Sequence, residues 1–264
     1  MTEPSPFRDL TAPLRRRGPG PPLVLVAHGS RDPRALATVR LLAARLRARR
    51  PGTEVRLGHI ELNAPLLGGT LADLDPGPAV LVPLLFGRGY HTKQDIPAAA
   101  AAAVHLDTRI AAPLGPHPLL ARALHARLGE AGWPPVLNAA ERRRTGVVLA
   151  AAGSRDPESA HGTRQAARLL ARRLGVPVLP AYACAAAPTV PEALAELRAL
   201  GRDRAAVASY FTAPGRFAAQ CASAAPWIAA EPIGDHPALA ELVLRRYDRA
   251  RAGAPAERRP LASA

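Results

Sequence analysis

An α/β fold of two tandem doubly wound units is what this sequence predicts, each with a roughly four-stranded parallel sheet flanked by helices, and with a cleft between the units. Three observations carry that expectation. Short apolar runs alternate with longer stretches at helical spacing, the pattern of right-handed βαβ crossovers. The stretch Leu23-Val24-Leu25-Val26-Ala27-His28-Gly29-Ser30-Arg31-Asp32-Pro33 returns 124 positions later as Val147-Val148-Leu149-Ala150-Ala151-Ala152-Gly153-Ser154-Arg155-Asp156-Pro157. The agreement continues at distant points: Asn63-Ala64-Pro65 matches Ala186-Ala187-Pro188, and Pro113-Leu114-Gly115-Pro116-His117-Pro118 matches Pro232-Ile233-Gly234-Asp235-His236-Pro237.

Residues 1–21, rich in Pro, Arg and Gly, read as a disordered lead-in without the apolar core of a signal peptide. A unit over 22–140 then begins with a strand at 23–27. A helix over 33–49 follows, its Leu36, Val39, Leu42, Ala43 and Leu46 at helical spacing and its arginines on the other face. Pro51-Gly52 stops it. A second strand is expected at 54–61, a short helix from Pro65 to Leu74, and a third strand at 79–85. That last run is apolar throughout, as suits a strand covered on both faces. A glycine-rich loop, 86–91, leads to a helix through the alanine run, a strand at 107–112 and a helix at 118–130. The unit over 144–251 repeats this: strand 146–151, helix 157–174, strand 176–182, helix 190–200, strand 205–211, a third helix after Ala213-Pro214-Gly215, a short strand near 228–231 and a helix at 237–250. The tail, 252–264, reads as loose.

The chain has 264 residues, and its apolar content of 48% suffices for two cores; aromatics are only 4%, so Leu, Val and Ala must fill them. The net charge of +14 points to anionic partners, or to an Arg- and Ala-rich base composition. Aromatics do not alternate with the arginines, which argues against a base-stacking nucleic-acid platform. The only two cysteines, Cys184 and Cys221, form no CxxC pair, so a reduced, cytoplasmic setting is expected. No apolar run is long enough to span a membrane.

In open parallel sheets ligands sit beyond the carboxyl ends of the strands. Three chemistry-bearing residues of the first unit fall there: His28 after the first strand, Glu61 after the second, His91 in the loop after the third. Two imidazoles and a carboxylate suit a divalent first-row metal, and imidazole also accepts protons near neutral pH. The repeat sharpens the reading. Opposite His28, Glu61 and His91 the second unit has Ala152, Cys184 and Phe217. A structural histidine would be expected in both copies, so the first unit is the chemical half and the second a scaffold or lid.

Plainer readings stand beside these. Each of His28, Glu61 and His91 has a structural alternative: a helix-start residue, a capping carboxylate, an exposed loop histidine. His59 shares a strand face with Glu61 and reads as a half-buried strand residue or an extra ligand. His117 and His236 occur in both copies before proline and read as turn residues. Cys184 reads as a small core residue or a soft ligand. Ser30, Arg31, Arg34, Arg88 and Lys93 border the same edge and are candidates for binding an anionic substrate, or are ordinary surface groups. Asp95 reads as the cap of the helix that follows His91.

The turn His28-Gly29-Ser30-Arg31-Asp32-Pro33, the segment Ile60-Glu61-Leu62-Asn63-Ala64-Pro65 and the segment Gly89-Tyr90-His91-Thr92-Lys93-Gln94-Asp95-Ile96-Pro97 together resemble the sirohydrochlorin chelatases. These are the cobalt- and ferrochelatases of the class II chelatase superfamily, here in a two-repeat form over about 22–250. The resemblance implies a tetrapyrrole cleft between two α/β lobes. It implies metal-binding histidines at His28 and His91 with Glu61 assisting, a divalent metal (Fe²⁺ or Co²⁺) as substrate, no organic cofactor, and sirohydrochlorin as the partner molecule. The second unit lacks the pattern at all three positions, so no ligand is carried onto it. Nucleic acid and membrane are not expected as partners, and a monomer is, because one chain supplies both walls of the cleft. A non-catalytic tetrapyrrole or metal carrier using the same cleft is the alternative.

Overall fold

A computed structural model describes residues 20–253. The first strand, β1 (Leu23–Ala27), is buried at every position. Its side chains alternate between two cores: Leu23 and Leu25 face one, Val24 and Val26 the other. The chain continues through α1 (Pro33–Arg49), β2 (Val55–His59), α2 (Leu67–Ala72), β3 (Gly77–Pro83), α3 (Ile96–Ala102), β4 (Leu106–Ile110) and α4 (Pro118–Glu130). The second half has α5 (Ala139–Arg144), β5 (Thr145–Ala151), α6 (Pro157–Leu174), β6 (Val178–Tyr182), α7 (Val190–Ala199), β7 (Arg204–Ser209), α8 (Arg216–Ser223), β8 (Ile228–Ala229) and α9 (Pro237–Arg251). Each half forms a four-stranded parallel sheet, ordered β2-β1-β3-β4 and β6-β5-β7-β8.

The two sheets start their first helices in the same way. Asp32 and Asp156 are the N-caps of α1 and α6, their carboxylates accepting from the N–H of Arg34 at 2.9 Å and of Glu158 at 3.0 Å. Proline follows each cap, where a missing N–H costs nothing. Ser30 Oγ and Ser154 Oγ each accept from the aspartate N–H at 3.1 Å. The glycine before each serine has positive φ, 105° at Gly29 and 95° at Gly153. A β-carbon there would collide with a backbone carbonyl, at 1.9 Å from Glu61 O and 1.8 Å from Cys184 O. Only glycine permits that approach.

The apolar layers stack through the molecule. A central core joins the inner faces of both sheets, with Leu25, Val82, Leu149 and Ala208 in one cluster. Val24, Leu81, Leu71 and Ile96 cover the outer face of the first sheet; Val148, Val207, Ala193 and Leu197 cover that of the second. The last helix of each half does not stay with its own sheet. Helix α9 packs on β3, β4 and α1, whereas α4 packs on α6 and β7, and the two helices meet each other. In the sequence each closes its own unit; in space they are exchanged.

Arginines clamp this exchange. Arg50 pairs bidentately with Asp248 at 2.9 and 2.6 Å, and Arg45 pairs with Asp235 at 2.8 Å, both joining α1 to the α9 region. Arg122 reaches Glu241 at 2.9 Å, and Arg246 donates to Pro113 O at 3.0 Å. Part of the basic excess therefore serves internal pairing.

Element positions agree with the sequence expectations to within a few residues, with one omission and one difference. Helix α5 was not foreseen. It carries a capping box in which Asn138 accepts from the Glu141 N–H and Glu141 from the Asn138 N–H. The stretch read as one helix after His91 begins with a wider π-type turn, His91–Asp95, before α3. Most of the expected lead-in and tail lies outside the described residues. Pro21, at the edge of the lead-in, is held: its carbonyl accepts from Tyr247 Oη at 2.7 Å. Among the described residues, no helix is long and apolar enough to cross a membrane.

Candidate metal centre and cleft

The carboxyl ends of β1, β2 and β3 bring the three expected residues together. The Ile60 N–H donates to Ala27 O at 2.9 Å and the Glu61 N–H to His28 O at 3.0 Å, so the chain beyond β2 is fastened beside the chain beyond β1. This sets His28 Nδ1 3.4 Å from Glu61 Oε1. The His28 and His91 rings stand edge to face with centroids 4.6 Å apart. Side-chain exposures of 43% for His28, 51% for Glu61 and 35% for His91 leave all three open to a solvent-borne ion.

Asp95 is the residue the sequence reading misplaced. It makes no side-chain cap to α3. The π-type turn instead points its carboxylate back at His91, with Oδ2 2.5 Å from Nδ1. Each imidazole thus has a carboxylate near Nδ1: Asp95 is hydrogen-bonded to His91, whereas His28 Nδ1 is hydrogen-bonded to Gly29 O at 3.3 Å with the Glu61 carboxylate beside it. Neither Nε2 makes a hydrogen bond among the described residues. A carboxylate behind a histidine fixes its tautomer and raises its basicity toward a metal on the other nitrogen. Among the described residues, no three His, Cys, Asp or Glu side chains close tightly enough to enclose a metal ion. The arrangement is two imidazole–carboxylate pairs side by side, open on the cleft side.

Other expected residues have different fates. His59 is buried, with Nδ1 3.2 Å from Pro65 O; burial lowers its pKa, and its ring is spent inside the fold. His117 and His236 are N-caps, their Nδ1 atoms accepting from the Leu119 and Ala238 N–H at 3.1 Å. They are turn residues, as their occurrence in both copies suggested. Cys184 is exposed and donates to Ala152 O at 3.2 Å. Cys221 is buried, which pushes its thiol up to about 11.

The five rim candidates separate into engaged and available groups. Ser30 is engaged: its N–H donates to Asn63 Oδ1 at 2.7 Å and its hydroxyl accepts from the Asp32 N–H. Arg34 folds back onto Asp32 at 2.7 Å, holding that carboxyl below its usual range. Lys93 reaches across the cleft to Asp156 at 2.6 Å and Glu158 at 2.7 Å in the other half. Its ammonium lowers both carboxyl pKa values, and they raise its own. Arg31 and Arg88 form no ion pair with any described residue.

The two halves also interlock at the cleft through their loops. A β-carbon built on Gly89 would stand 3.5 Å from Ser154 Oγ, and one on Gly215 would stand 3.4 Å from Ser30 Oγ. Thr212 Oγ1 donates to Leu84 O at 2.8 Å. The loop after β3 thus touches the β5 turn, and the loop after β7 touches the β1 turn.

Comparison with known proteins bears on the family and the fold. The family profile described as CbiX matches residues 22–131 and, a second time, residues 146–250. The chain belongs to the CbiX family. This CbiX-family chain is 36% identical over 78 residues to a sirohydrochlorin cobaltochelatase of Methanococcus maripaludis. That match covers 28% of this chain and 54% of the relative, so the chain spans about half the length of the curated relative it matches. Its fold is similar to that of SirB from Bacillus subtilis with Fe³⁺, with a TM-score of 0.69 at 21% identity over 89% of this chain and 96% of that one. It is similar also to CbiX described as the terminal enzyme of siroheme biosynthesis in denitrifying bacteria, with a TM-score of 0.65 at 23% identity over 87% and 99%. The family resemblance read from the sequence is borne out, as is the two-sheet α/β fold.

Proposed function

We propose that this chain is a sirohydrochlorin chelatase that inserts a divalent first-row metal into the macrocycle. The observation that carries this is the pair of adjacent, half-exposed imidazoles, His28 and His91, each backed at Nδ1 by a carboxylate and open to the cleft. Family membership supports the chelatase class.

Insertion exchanges two pyrrole N–H protons for M²⁺, so a site must hold the metal and remove protons. Two Nε2 lone pairs take the metal weakly, because an open set leaves it labile for transfer. Asp95 holds the His91 ring by Nδ1, and the Glu61 carboxylate stands beside Nδ1 of His28. As the metal passes to the macrocycle, the freed imidazoles and Glu61 accept the pyrrole protons. Both imidazole and carboxylate bind Fe²⁺ and Co²⁺. Fe²⁺, and with it sirohaem synthesis, is slightly preferred over Co²⁺ and cobalamin, because the chain carries no His-rich metal-storing tract. The boundaries 22–140 and 144–251 describe the two halves as chain segments. Action as a cytoplasmic monomer belongs to the same proposal, one chain building both walls of the cleft.

The test is the visible absorbance of sirohydrochlorin followed anaerobically with Fe²⁺ or Co²⁺. The protein is expected to accelerate metallation, and His28→Ala or His91→Ala to remove the acceleration. Binding of the chromophore without any acceleration would overturn the proposal in favour of a carrier.

A further inference from the structure

The second half has lost the metal-binding side chains but not its place in the cleft. The loop after β7 lies against Ser30, two residues from His28, and α8 begins at the next residue, Arg216. The reciprocal contact of Gly89 with Ser154 makes Gly215 the counterpart of Gly89. Arg216 and Phe217 therefore stand where the first half has Tyr90 and His91.

What replaced them is a built pair. The Arg216 guanidinium lies over the Phe217 ring, its carbon 5.0 Å from the centroid. Arg216 is exposed, Phe217 partly buried. A guanidinium over an aromatic face is restrained by the cation–π attraction, and its N–H donors remain able to donate to a carboxylate. Among the described residues Arg216 has no carboxylate partner. On the same rim Lys93 is neutralised by Asp156 and Glu158, and Arg34 by Asp32. Among the described residues Arg31 and Arg88 of the first half and Arg155 and Arg216 of the second form no ion pair, although Arg88 lies close enough to Asp156 and Glu158 to lower their pKa values; of the four, Arg216 is the one stacked over an aromatic ring.

We infer that Arg216, held by Phe217, is a substrate-binding residue that pairs with a peripheral carboxylate of the macrocycle while the first half presents the metal. The inference rests on the chelatase reading. The degenerate copy is then the substrate-holding wall, with Phe217 as the positioning residue that pre-orders the guanidinium and reduces the entropy lost on binding.

The test measures metallation with sirohydrochlorin and with deuteroporphyrin, a macrocycle carrying two carboxylates, using the full chain. Arg216→Ala is expected to raise KM for sirohydrochlorin about tenfold with kcat unchanged, as fits loss of a charged hydrogen-bonded pair, and to narrow the preference over deuteroporphyrin. Arg216→Glu should raise KM further and Arg216→Lys restore part of it. Phe217→Ala should raise KM less than Arg216→Ala, and Phe217→Tyr should behave as the unaltered protein. Thermal unfolding of each variant separates these effects from loss of α8. Unchanged KM in Arg216→Ala and Arg216→Glu, or a fall in kcat at constant KM, overturns the inference and leaves the chelatase reading standing. No acceleration by the unaltered protein overturns both.

Discussion

The first and second halves of this chain hold one backbone and two chemistries. At the turn after the first strand of each sheet, the glycine φ agrees within about ten degrees, the serine and aspartate make matching hydrogen bonds, and the following loop donates to the same carbonyl, Glu61 to His28 O and Cys184 to Ala152 O. Even the positive φ after that residue recurs, 67° at Leu62 and 57° at Ala185. The side chains that reach the cleft diverge: His28, Glu61 and His91 against Ala152, Cys184 and Phe217. A backbone device is kept because every later residue depends on its geometry, whereas an exposed side chain at its tip is free to change without unfolding anything. The difference teaches that the repeated turn is fold and the residues it displays are function.

The comparison breaks most sharply at the two histidines. His28→Ala and His91→Ala should each lower kcat by at least about 100-fold, on the scale of losing a proton-transfer and metal-binding group. The double graft Ala152→His with Cys184→Glu should leave the rate within about twofold, since Asp95 has no counterpart beside Phe217. A rate gain from the graft alone would mean that the second half had kept more of the site than its side chains suggest.

Next in size is Asp95. Asp95→Asn keeps the shape but removes the negative charge behind His91, and a loss of about 10- to 100-fold in metallation or metal affinity is expected. If Asp95 were only a helix cap, asparagine would serve equally well and the assay would show no change.

The shared turn makes a stability prediction. His117→Ala and His236→Ala should each cost about 1 kcal/mol in urea unfolding, the usual cost of a lost helix cap. His59, His125 and His236 all have pKa values lowered from 6.5, chiefly by burial. Below that value the unfolded chain binds more protons than the folded one. Stability should therefore be flat above about pH 7 and fall as the pH drops below about 6.5. Urea midpoints measured between pH 8 and pH 5 read the slope directly.

The smallest effect concerns the bridge between the halves. Lys93→Ala leaves Asp156 and Glu158 uncompensated beside an anionic substrate, and KM should rise about threefold, the scale of an exposed ion pair. Adding Asp156→Asn and Glu158→Gln should bring KM back. A Lys93→Ala effect that survives neutralisation of both carboxylates would show that the lysine itself meets the substrate.

The core site was legible because β1, β2 and β3 are short, apolar and parallel, so their carboxyl ends must share an edge, and His28, Glu61 and His91 sit at those ends. Asp95 was not. An aspartate before Ile96-Pro97 has the local signature of a cap, and that reading hid the other signal, its spacing of four from His91, which sets the two side chains on one helical face. Helix α5 had its signal in Asn138 and Glu141, three apart, but six residues of Ala, Glu and Arg offer no apolar stripe to notice. Lys93 was read as a candidate substrate-binding or ordinary surface group because its partners, Asp156 and Glu158, are settled by where loops end, not by spacing.

By itself the sequence determined the alternation of strands and helices, the duplication, and the edge on which the chemistry lies, because each follows from local periodicity and from the hand of βαβ crossovers. The tertiary structure alone decided that α4 and α9 change sheets, that Lys93 is consumed by the opposite half, and that Gly215, at the start of α8, arrives beside Ser30. An apolar helix face satisfies its pattern equally on either of two like sheets. A charge likewise carries no record of the partner it will meet. Those choices are made by contacts more than a hundred residues apart, such as Arg50 with Asp248 and Thr212 with Leu84, which no window of sequence contains.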